Sequence, residues 1–445
     1  MAEPRLAAVV MAGGLSTRMN SAIPKHLHPL LGRRLIDWVL AAVRTLEPVR
    51  HVLVTSPAAQ SALVGSLPDD IELAVQPEAR GTGDAVALTE GLLYGHADQL
   101  LVVPGDVPLL TAELLRGLLS AHRAPSAATL LSFDHDDAGR YGRIVRDAGG
   151  RLERIVEAVD ATDEQLAIRE VSSSIYVFAL PRLWAALSSL GSANAQGEVY
   201  LTDVIELIAA EGEPVNAHRV PWTQFLEGVN TQVELSAAAA ALRDRVNAAH
   251  MLAGVTIIDP ASTWIDADVE IEPDAVIHPF TVLRGASTVG AGAHVGPHAV
   301  MVDASAGAGA HIGPFAYLRP GAQLARDAKA GTFVEVKNSR IGRGTKVPHL
   351  SYIGDAEIGE ETNIGAGAIT ANYRPELGGT KERTTIGDNV HTGSHNVFVA
   401  PVEIGDGAWV AAGSTVTEDV PPGSLAIARS RQINQEGYRE REQRK

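Results

Sequence analysis

The hydrophobic positions follow two different periods, one on each side of about residue 250. In the first part, short apolar runs alternate with segments whose apolar residues recur at helical spacing. This pattern predicts buried strands at residues 6–11, 51–55, 71–75 and 100–103, and helices at residues 34–46 and 85–93. One face of the first helix carries Leu35, Ile36, Val39, Leu40 and Val43. Such alternation is typical of an α/β domain with a mostly parallel sheet, which binds ligands beyond the carboxyl ends of its strands.

The second part repeats with a period of six residues. An aliphatic residue recurs at seven consecutive steps, namely Ile265, Ile271, Ile277, Leu283, Val289, Val295 and Met301. After one slip the period resumes at Ile312, Leu318 and Leu324, and later at Ile341, Val347, Ile353, Ile358, Ile364, Ile404, Val410 and Val416. Strands of ordinary amphipathic sheets repeat with period two. The period of six therefore predicts a left-handed parallel β-helix of hexapeptide repeats, with the aliphatic side chains pointing inward.

Breaks in these periods predict the domain organisation. We expect an N-terminal domain at residues 1–231, a β-helix at 253–428 and a charged C-terminal tail at 429–445. Residues 232–252 are rich in Ala and lack Pro and Gly, so they indicate a helix, either a linker or a surface helix of the first domain. Residues 371–384 interrupt the period of six, and we expect them to project from the β-helix as a loop.

Composition excludes several classes of function. Of the 445 residues, 37 are Lys or Arg and 53 are Asp or Glu, which gives a net charge of −16. This acidic balance argues against a nucleic-acid partner, because nucleic-acid binding needs a basic surface. The absence of cysteine excludes disulfides, thiolate nucleophiles and cysteine-ligated zinc. The sequence has no signal peptide and no apolar run of the about 18 residues that suggest a membrane span, so we expect a cytoplasmic protein without membrane insertion.

Polar residues after the first predicted strand form a pattern suited to phosphate. Residues 11–30 contain the segments MAGGLSTRM and PKHLHPL. Gly13 and Gly14 let the backbone approach a ligand, and Arg18 and Lys25 can bind phosphate oxygens. The pattern is neither Walker A nor G-x-G-x-x-G, and a glycine pair by itself also occurs in tight turns. The two cations beside the glycines favour a phosphate site.

The pattern G-G-x-x-T-R-M followed by P-K resembles that of the sugar-phosphate nucleotidyltransferases, which have a Rossmann-like fold. QPEARGTGDAV at residues 76–86 resembles the nucleobase segment of this family, VVPGDVPLL at 102–110 its metal loop, and EGVNTQ at 227–232 the segment with a second metal ligand. The resemblance implies that Arg18 and Lys25 are catalytic. It implies that the nucleotide is bound by Ala12, Gly13, Gly14, Gln76, Gly81 and Thr82, with uracil as the base. It also implies Mg²⁺ at Asp106 and Asn230.

The chemistry of nucleotidyl transfer explains why such residues are needed. Two anionic reactants must be brought together and held in line, so their charge has to be neutralised. Mg²⁺ prefers oxygen ligands and substrate phosphates, which suits one carboxylate and one amide oxygen. The family resemblance further implies sugar contacts at Gly142 and Glu157. Where the family has an Asn beside the sugar and ribose, this chain has the shorter Ser172, so a water or a different sugar could fill the gap.

With the period-six half included, nearly the whole chain resembles a bacterial family of bifunctional enzymes. Members transfer acetyl from acetyl-CoA to glucosamine-1-phosphate and then uridylyl from UTP to N-acetylglucosamine-1-phosphate, giving UDP-N-acetylglucosamine for cell-wall precursors. The segments that carry the second resemblance are PFAYLRPGA, GTFVEVKNSRIG, VPHLSYIGDAEIG and TNIGAGAITANY, at residues 314–322, 331–342, 347–359 and 362–373. The resemblance also implies a homotrimer whose acetyl-transfer sites are shared between neighbouring β-helices.

In the acetyltransferase half, the resemblance implies His349 as the base that takes a proton from the attacking amine. Glu335 could orient His349 or pair with Lys337. The sugar phosphate would be bound by Arg319, Lys337, Tyr352, Asn363 and Lys381. Acetyl-CoA would be bound by Ala366, Asn372, Tyr373, Ser394, Ala412 and Arg429. The family usually reads N-Y-D-G where this chain reads N-Y-R-P, and the segment before Lys381 is somewhat longer.

Three other functions compete with this prediction. One is a two-domain nucleotidyltransferase with a different sugar or nucleotide. Another is a non-catalytic scaffold, against which the joint presence of Arg18, Lys25, Asp106, Asn230 and His349 argues. The third is a hexapeptide metalloenzyme of the carbonic anhydrase type, which needs convergent histidines. The nearest histidines in sequence are His294, His298 and His311, and a spacing of four between the first two does not fit the period of six.

Overall fold

The structure is a computed structural model that describes residues 4–14, 17–192, 194–375 and 378–439. The chain divides into two compact units between residues 241 and 242. This boundary falls inside the predicted helix at residues 232–252, which the structure has as Gln232–Leu252. The limits of the domains given above remain predictions, and residues 440–445 of the expected tail lie outside the described residues.

The first unit contains a mixed, mostly parallel sheet flanked by helices. Its strands are β1 Leu6–Ala12, β2 Pro29–Leu30, β3 Arg33–Arg34, β4 Arg50–Thr55, β5 Ile71–Val75, β6 Gln99–Pro104, β7 Ala128–Asp134, β8 Arg143–Arg146, β9 Leu152–Val156, β10 Glu170–Ala179 and β11 Val215–Val220. Its helices are α1 Leu35–Arg44, α2 Pro57–Leu63, α3 Thr82–Ala87, α4 Glu90–Leu93, α5 Ala112–Ala121, α6 Asp163–Leu166, α7 Leu180–Leu187 and α8 Asp203–Ala210, with α9 Gln232–Leu252 at the boundary. Short 3-10 turns lie at Thr17–Met19, Lys25–Leu27 and Gln224–Leu226.

The order of strands places the predicted loops at one edge of this sheet. The main sheet runs β11-β7-β10-β6-β1-β4-β5, and β10 is antiparallel to both of its neighbours in this order. Strands β6, β1, β4 and β5 are parallel, so their carboxyl ends point the same way. The loops after β1, β5 and β6 therefore begin at a common edge, as expected for a doubly wound sheet.

Local predictions in this unit hold with one difference. The predicted apolar face of α1 is buried in full, namely Leu35, Ile36, Val39, Leu40 and Val43. The helix predicted at residues 85–93 is instead split into α3 and α4, and α3 begins earlier, at Thr82. Between the two helices the Thr89 hydroxyl donates to the Val86 carbonyl at 2.7 Å. A Thr side chain that binds a nearby carbonyl competes with the helical ladder, which explains the break.

In the second unit, the described strands form a parallel β-helix with three faces. The first face contains β12 Thr256–Ile257, β15 Val276–Ile277, β18 His294–Val295, β21 His311–Ile312, β24 Lys329–Thr332, β27 Lys346–His349, β34 His391–Thr392, β37 Trp409–Val410 and β39 Leu425–Ala426. The second contains β13 Trp264–Ile265, β16 Val282–Arg284, β19 Val300–Val302, β22 Tyr317–Leu318, β25 Glu335–Lys337, β28 Tyr352–Gly354, β30 Ile369–Ala371, β35 Val397–Val399 and β38 Thr415–Val416. The third contains β14 Glu270–Ile271, β17 Thr288–Val289, β20 Ser305–Ala306, β23 Gln323–Leu324, β26 Arg340–Ile341, β29 Ala356–Ile358, β33 Thr384–Ile386 and β36 Val402–Ile404.

The register of these strands explains both the period of six and its slip. Ile271 aligns with Val289, one full turn of three hexapeptides later, whereas Val289 aligns with Ala306. That turn is one residue shorter, so Ala306 takes the inward position and the aliphatic period resumes out of phase. The predicted loop is an antiparallel hairpin of β31 Tyr373–Arg374 and β32 Thr380–Lys381. The inward side chains stack into one continuous apolar core, as expected for a solenoid.

Candidate functional site

A cavity of about 750 Å³ lies in the first unit, within the usual range for a ligand site. Most of the predicted nucleotide and metal residues line it, namely Gly13, Gly14, Arg18, Lys25, Gln76, Gly81, Thr82, Asp106 and Asn230. They come from the loops after β1, β5 and β6 and from the segment before α9. Ala12 does not line the cavity, because its side chain is buried at the end of β1. Residues far apart in the sequence are thus brought to one surface.

Lys25 donates hydrogen bonds to both predicted metal ligands. Its Nζ donates to Asp106 Oδ2 at 2.6 Å and to Asn230 Oδ1 at 3.0 Å. Arg18 Nη2 also donates to Asn230 Oδ1, at 2.9 Å. Burial alone would raise the pKa of Asp106, but the charge and hydrogen bond of Lys25 outweigh it and hold the pKa below its ordinary value. The carboxylate and the amide oxygen therefore face one position that already holds a cation.

Asn230 is positioned by the start of the long helix α9. Glu234 Oε2 accepts from the backbone N–H groups of Asn230 and Thr231 at 2.6 and 2.9 Å, and Thr231 Oγ1 accepts from Glu234 N at 3.2 Å. This is a capping box, which fixes the first turn of a helix. The sequence T-Q-V-E carries its pattern, so this positioning role of Glu234 could have been found from the sequence. Glu234 also lines the cavity.

Two glycines of the predicted nucleotide site, Gly13 and Gly81, have no space for a side chain. A Cβ on Gly13 would lie 2.4 Å from Gln76 Oε1, and a Cβ on Gly81 would lie 2.4 Å from the Val199 carbonyl oxygen. Gln76 Nε2 in turn donates to the Gly81 carbonyl at 3.1 Å and to Asp84 Oδ2 at 2.8 Å. Gly81 has a φ of 107°, which favours glycine. Both glycines are therefore required by close approach to neighbouring groups.

The predicted sugar residues form a second group next to the cavity, and residues adjacent to Gly142 and Ser172 in the sequence line it. The Gly142 carbonyl accepts from Ser172 N at 2.9 Å, and Glu157 Oε1 accepts from Thr202 Oγ1 at 3.1 Å. Burial raises the pKa of Glu157. Gly142, Glu157 and Ser172 are not themselves among the residues that line the cavity, whereas Tyr141, Ser173 and Ser174 are. Burial raises the pKa of Tyr141 to about 12.

Ser172 faces the protein, and Ser174 faces the cavity. The Ser172 side chain is buried, its Oγ accepts from Ser174 N at 3.1 Å and lies 3.3 Å from Tyr176 Oη. Ser174 has a φ of 61°, in the left-handed region. The pairing of β10 with β7 is irregular between Ser172 and Tyr176, which turns the serines out of the regular register. No sequence signal marked Ser174, because nothing in the run S-S-S-I indicates an irregular strand.

His26 is a further residue at this cavity that sequence reasoning missed. It follows Lys25, is buried and lines the cavity. Burial, helped by the Lys25 ammonium, lowers the pKa of His26 to about 4. The imidazole is therefore neutral at pH 7 and adds no charge beside the Lys25 and Asp106 pair.

In the second unit, His349 and most of the predicted acetyl-CoA residues share one edge of the β-helix, between the first and second faces. Main-chain hydrogen bonds connect successive coils there, from Gly367 N to the His349 carbonyl at 3.2 Å, from His395 N to Ala366 at 2.7 Å and from Gly413 N to Ser394 at 2.8 Å. Ala412 precedes Gly413, and Arg429 Cδ would lie 3.8 Å from a Cβ on Gly413. We call this series of positions the edge column, and define it as His349, Ala366, Ser394, Ala412 and Arg429.

The same edge changes character at His349. On the earlier coils it carries the exposed side chains Phe280, Phe315 and Phe333, and His298 stacks between the first two with ring centroids 4.7 and 4.8 Å away. In the same register, the later coils carry Leu350, Gly367, His395 and Gly413, so two of these four positions are glycines and one is an exposed histidine. The row of exposed phenylalanine rings therefore ends at Phe333, before His349, and the edge column next to it continues after His349 with the small residues Ala366, Ser394 and Ala412.

The predicted sugar-phosphate residues gather mainly on the second face. Arg319, Lys337 and Tyr352 lie on neighbouring coils, and the Lys337 ammonium lowers the pKa of Lys381 by hydrogen bonding and charge. Lys381, on the hairpin, is therefore beside Lys337 despite the altered loop sequence. Asn363 lies instead on the first face, bridged to Lys346 and His391. His349 ends β27 on the first face, and Tyr352 begins β28 on the second, across the corner.

Carboxylates hold this cationic group in place. Glu335 Oε1 accepts from Arg319 Nη1 at 2.8 Å, which differs from both of the partners considered for Glu335. Asp355 lies 3.9 Å from Lys337 Nζ, accepts from Asn338 Nδ2 at 2.5 Å and also accepts from Asn372 Nδ2. Asp355 is a residue that the sequence analysis missed. The exposed Tyr373 pairs with Lys381 across the hairpin.

The structure does not bring the three candidate histidines of a carbonic anhydrase-type site together. His294 and His311 stack on the first face with centroids 5.1 Å apart, whereas His298 lies at the corner between phenylalanine rings. Among the described residues, no group of three or more His, Cys, Asp and Glu side chains could hold a metal ion. In the same part of the chain, no helix is both long and apolar enough to cross a membrane.

This chain is similar to known proteins over nearly its full length. Residues 8–223 match the family model of the MobA-like NTP transferase domain. The bifunctional protein GlmU of Streptomyces avermitilis is 47% identical over 97% of this chain and 93% of its own length. The bifunctional protein GlmU of Mycobacterium tuberculosis is 47% identical over 98% of this chain and 92% of its own length. That of Corynebacterium efficiens is 44% identical over 97% and 93%.

The chain belongs to the GlmU family. Because the similarity covers almost the full length of both proteins, it includes both units of the structure. The GlmU relationship therefore confirms the predicted family, the nucleotidyltransferase fold of the first unit and the β-helical second unit.

Proposed function

We propose that the two units carry the two reactions of UDP-N-acetylglucosamine synthesis. The chain is a bifunctional transferase, with uridylyl transfer from UTP in the cavity of the first unit and acetyl transfer from acetyl-CoA at the edge column of the second. The single observation that carries the first assignment is the convergence of Asp106 and Asn230 on Lys25. The product supplies precursors of the cell wall.

The cavity fits a Mg²⁺ ion held by Asp106 and Asn230. Both oxygens already lie within hydrogen-bond distance of one cationic nitrogen, and both are of the kind that Mg²⁺ prefers. When bound, Mg²⁺ neutralises phosphate charge and orients phosphate oxygens. Lys25 and Arg18 then bind the phosphates, while Gln76, Gly81 and Thr82 enclose the uracil. The sugar phosphate oxygen attacks the α-phosphorus of UTP, and pyrophosphate leaves in line.

At the edge column, His349 acts as the general base. The amine of glucosamine-1-phosphate attacks the thioester carbonyl, a C–N bond forms, the C–S bond breaks and the thiol of coenzyme A leaves. His349 takes the proton that the amine loses. Lys337 and Lys381 are adjacent cations, so a phosphate group between them would relieve their mutual repulsion. Arg319, Tyr352 and Asn363 complete the proposed sugar site.

We further infer a homotrimer with its acetyl-transfer sites shared between neighbouring β-helices. The exposed rings of Phe280, Phe315 and Phe333 support such an association, because a contiguous apolar patch marks a protein interface. Sedimentation velocity should give three times the mass of the 46.8 kDa chain. A monomer at micromolar concentration would contradict the trimer. The cytoplasmic location stays a prediction.

One experiment tests the proposed function against its nearest alternative. The purified protein is given Mg²⁺, acetyl-CoA and glucosamine-1-phosphate, and then a panel of nucleoside triphosphates. We expect free thiol, N-acetylglucosamine-1-phosphate, and then pyrophosphate with UTP as the preferred nucleotide. Preference for dTTP or ATP would identify a nucleotidyltransferase of different specificity. Absence of both reactions would favour the non-catalytic scaffold.

A further inference from the structure

An exposed aromatic pair lies beside the edge column. His391 and Trp409 are neighbours on the first face, with ring centroids 4.7 Å apart and planes inclined by 30°. Trp409 is 57% exposed, and its partner on the next coil, Leu425, is 61% exposed. A large indole left in solvent, supported from one side by another ring, is a surface on which a flat ligand can stack.

The position of this pair relative to the edge column indicates which ligand it serves. His391 precedes Ser394 by three residues, and Trp409 precedes Ala412 by three residues, so both rings lie on the strands that lead into the column. His349 begins the column and must meet the reacting thioester. The remainder of the acyl donor runs toward Arg429, because the other predicted acetyl-CoA residues of the column, Ala366, Ser394, Ala412 and Arg429, all lie on that side of His349.

The far end of the column combines a cation with an aromatic ring. Arg429 packs against Gly413 on the coil that carries Trp409. A guanidinium suits phosphate oxygens, and an indole suits the face of a purine. This pairing of groups matches the adenosine phosphate portion of coenzyme A, which is the part farthest from the thioester.

We propose that Trp409, backed by His391, is the stacking platform for the purine ring of the acyl donor. The proposal rests on the acetyl transfer proposed above. The indole adds affinity for the donor without touching the reacting atoms, so it binds the donor and takes no part in proton transfer. Arg429 neutralises the neighbouring phosphates, and the small residues of the column let the pantetheine chain pass to His349.

The test compares two acyl donors that share a thioester. Acetyl-CoA contains the adenosine phosphate portion, and S-acetyl-pantetheine lacks it. For Trp409→Ala we expect kcat/KM for acetyl-CoA to fall about tenfold, with most of the change in KM, whereas kcat/KM for S-acetyl-pantetheine is unchanged. Trp409→Phe should retain most of the affinity. His391→Ala should cause a smaller loss, about threefold, for acetyl-CoA only.

Trp264→Ala is the matched control, because Trp264 is also an exposed tryptophan of the β-helix but lies on its first coils. It should change neither donor's kinetics. Equal losses with both donors, or a changed sedimentation coefficient of Trp409→Ala, would overturn the proposal in favour of a structural or subunit-contact role. Unchanged kinetics with acetyl-CoA would also overturn it. If the unmodified protein uses neither donor, the proposed acetyl transfer itself fails.

Discussion

The cavity of the first unit and the edge column of the second are built in opposite ways. In the cavity, side chains from distant parts of the sequence bind one another directly, as Lys25 does with Asp106 and Asn230. Along the edge column, main-chain hydrogen bonds between coils set the positions, and the side chains project from a regular scaffold. A substitution in the cavity therefore leaves partners unpaired, whereas a substitution at the edge leaves the scaffold intact.

The sharpest test of this separation is a reciprocal pair of substitutions. Asp106→Ala should lower uridylyl transfer about 10³-fold, because the phosphate charge loses its neutralising ion, and leave acetyl transfer unchanged. His349→Ala should lower acetyl transfer by about 10²- to 10⁴-fold, because the amine loses its general base, and leave uridylyl transfer unchanged. Both rates are measured on each purified variant with saturating co-substrates.

Asp98→Ala and His311→Ala serve as controls, because both side chains are exposed and lie outside the proposed sites and outside the patch of phenylalanine rings. Neither should change either rate. Loss of both activities in a variant that remains folded would show that the two sites depend on each other, which would contradict their proposed independence.

A second pair compares one cation in each site. Lys25→Met should reduce kcat/KM for uridylyl transfer about 100-fold, because Asp106 and Asn230 then lose a charged partner as well as a phosphate contact. Lys337→Met should reduce kcat/KM for acetyl transfer only about tenfold, because the ammonium of Lys381 lies beside it. Steady-state kinetics with varied sugar phosphate measure both. Equal losses would contradict the proposed difference, in which Lys25 binds its neighbours directly whereas Lys337 shares its role with Lys381.

The pH dependence of stability should differ between the units. His51 in β4 is buried, neither of its ring nitrogens has a hydrogen-bond partner among the described residues, and burial lowers its pKa to about 4 from 6.5. Between these values the unfolded state binds a proton that the folded state does not, so the free energy of unfolding falls as the pH falls. From pH 7 to pH 5 this group removes about 2 kcal/mol.

The variant His51→Leu should lack that loss. Hydrogen exchange of the amides of β4, β1 and β5 in the full chain measures the local free energy of opening at pH 7 and pH 5. His298→Leu, on the surface of the β-helix, should leave the pH dependence unchanged. The same slope in the original chain and in His51→Leu would show that His51 is already protonated at pH 5 or has a partner in solution.

The smallest expected effect concerns the serine that replaces the family's Asn. Ser172→Ala removes the acceptor for Ser174 N, which should lower the free energy of unfolding by about 1 kcal/mol. Because Ser174 lines the cavity, KM for N-acetylglucosamine-1-phosphate should rise about threefold, with KM for UTP unchanged. Urea unfolding and steady-state kinetics check the two parts. A larger change in KM for UTP would place Ser174 nearer the nucleotide than we propose.

Much of the β-helix could be predicted from the sequence because its contacts repeat. Once the period of six is recognised, positions such as Ile277 and Val295 have known phases, and so do those of the edge column. The hairpin was located by the break in the period, but the contact of Lys381 with Lys337 depends on how the hairpin folds back, which no local pattern gives.

In the first unit, the sequence predicted elements better than contacts. The strands and the apolar face of α1 follow from local periodicity, and the capping box at the start of α9 follows from the sequence T-Q-V-E. The roles of Ser174 and His26 are not, because they depend on an irregular strand and on burial by distant segments. The resemblance to a family identified Ser172 as the sugar residue, whereas the structure turns its hydroxyl toward the protein.

The most direct test of the central assignment is a double-mutant cycle on metal binding. Mn²⁺ binding is measured in the presence of a non-hydrolysable UTP analogue for the original chain, Asp106→Ala, Asn230→Ala and the double variant. If both oxygens bind one ion, each single substitution weakens binding, and the double variant is hardly weaker than Asp106→Ala alone. Independent, additive losses, or no loss in Asn230→Ala, would contradict the shared cation site.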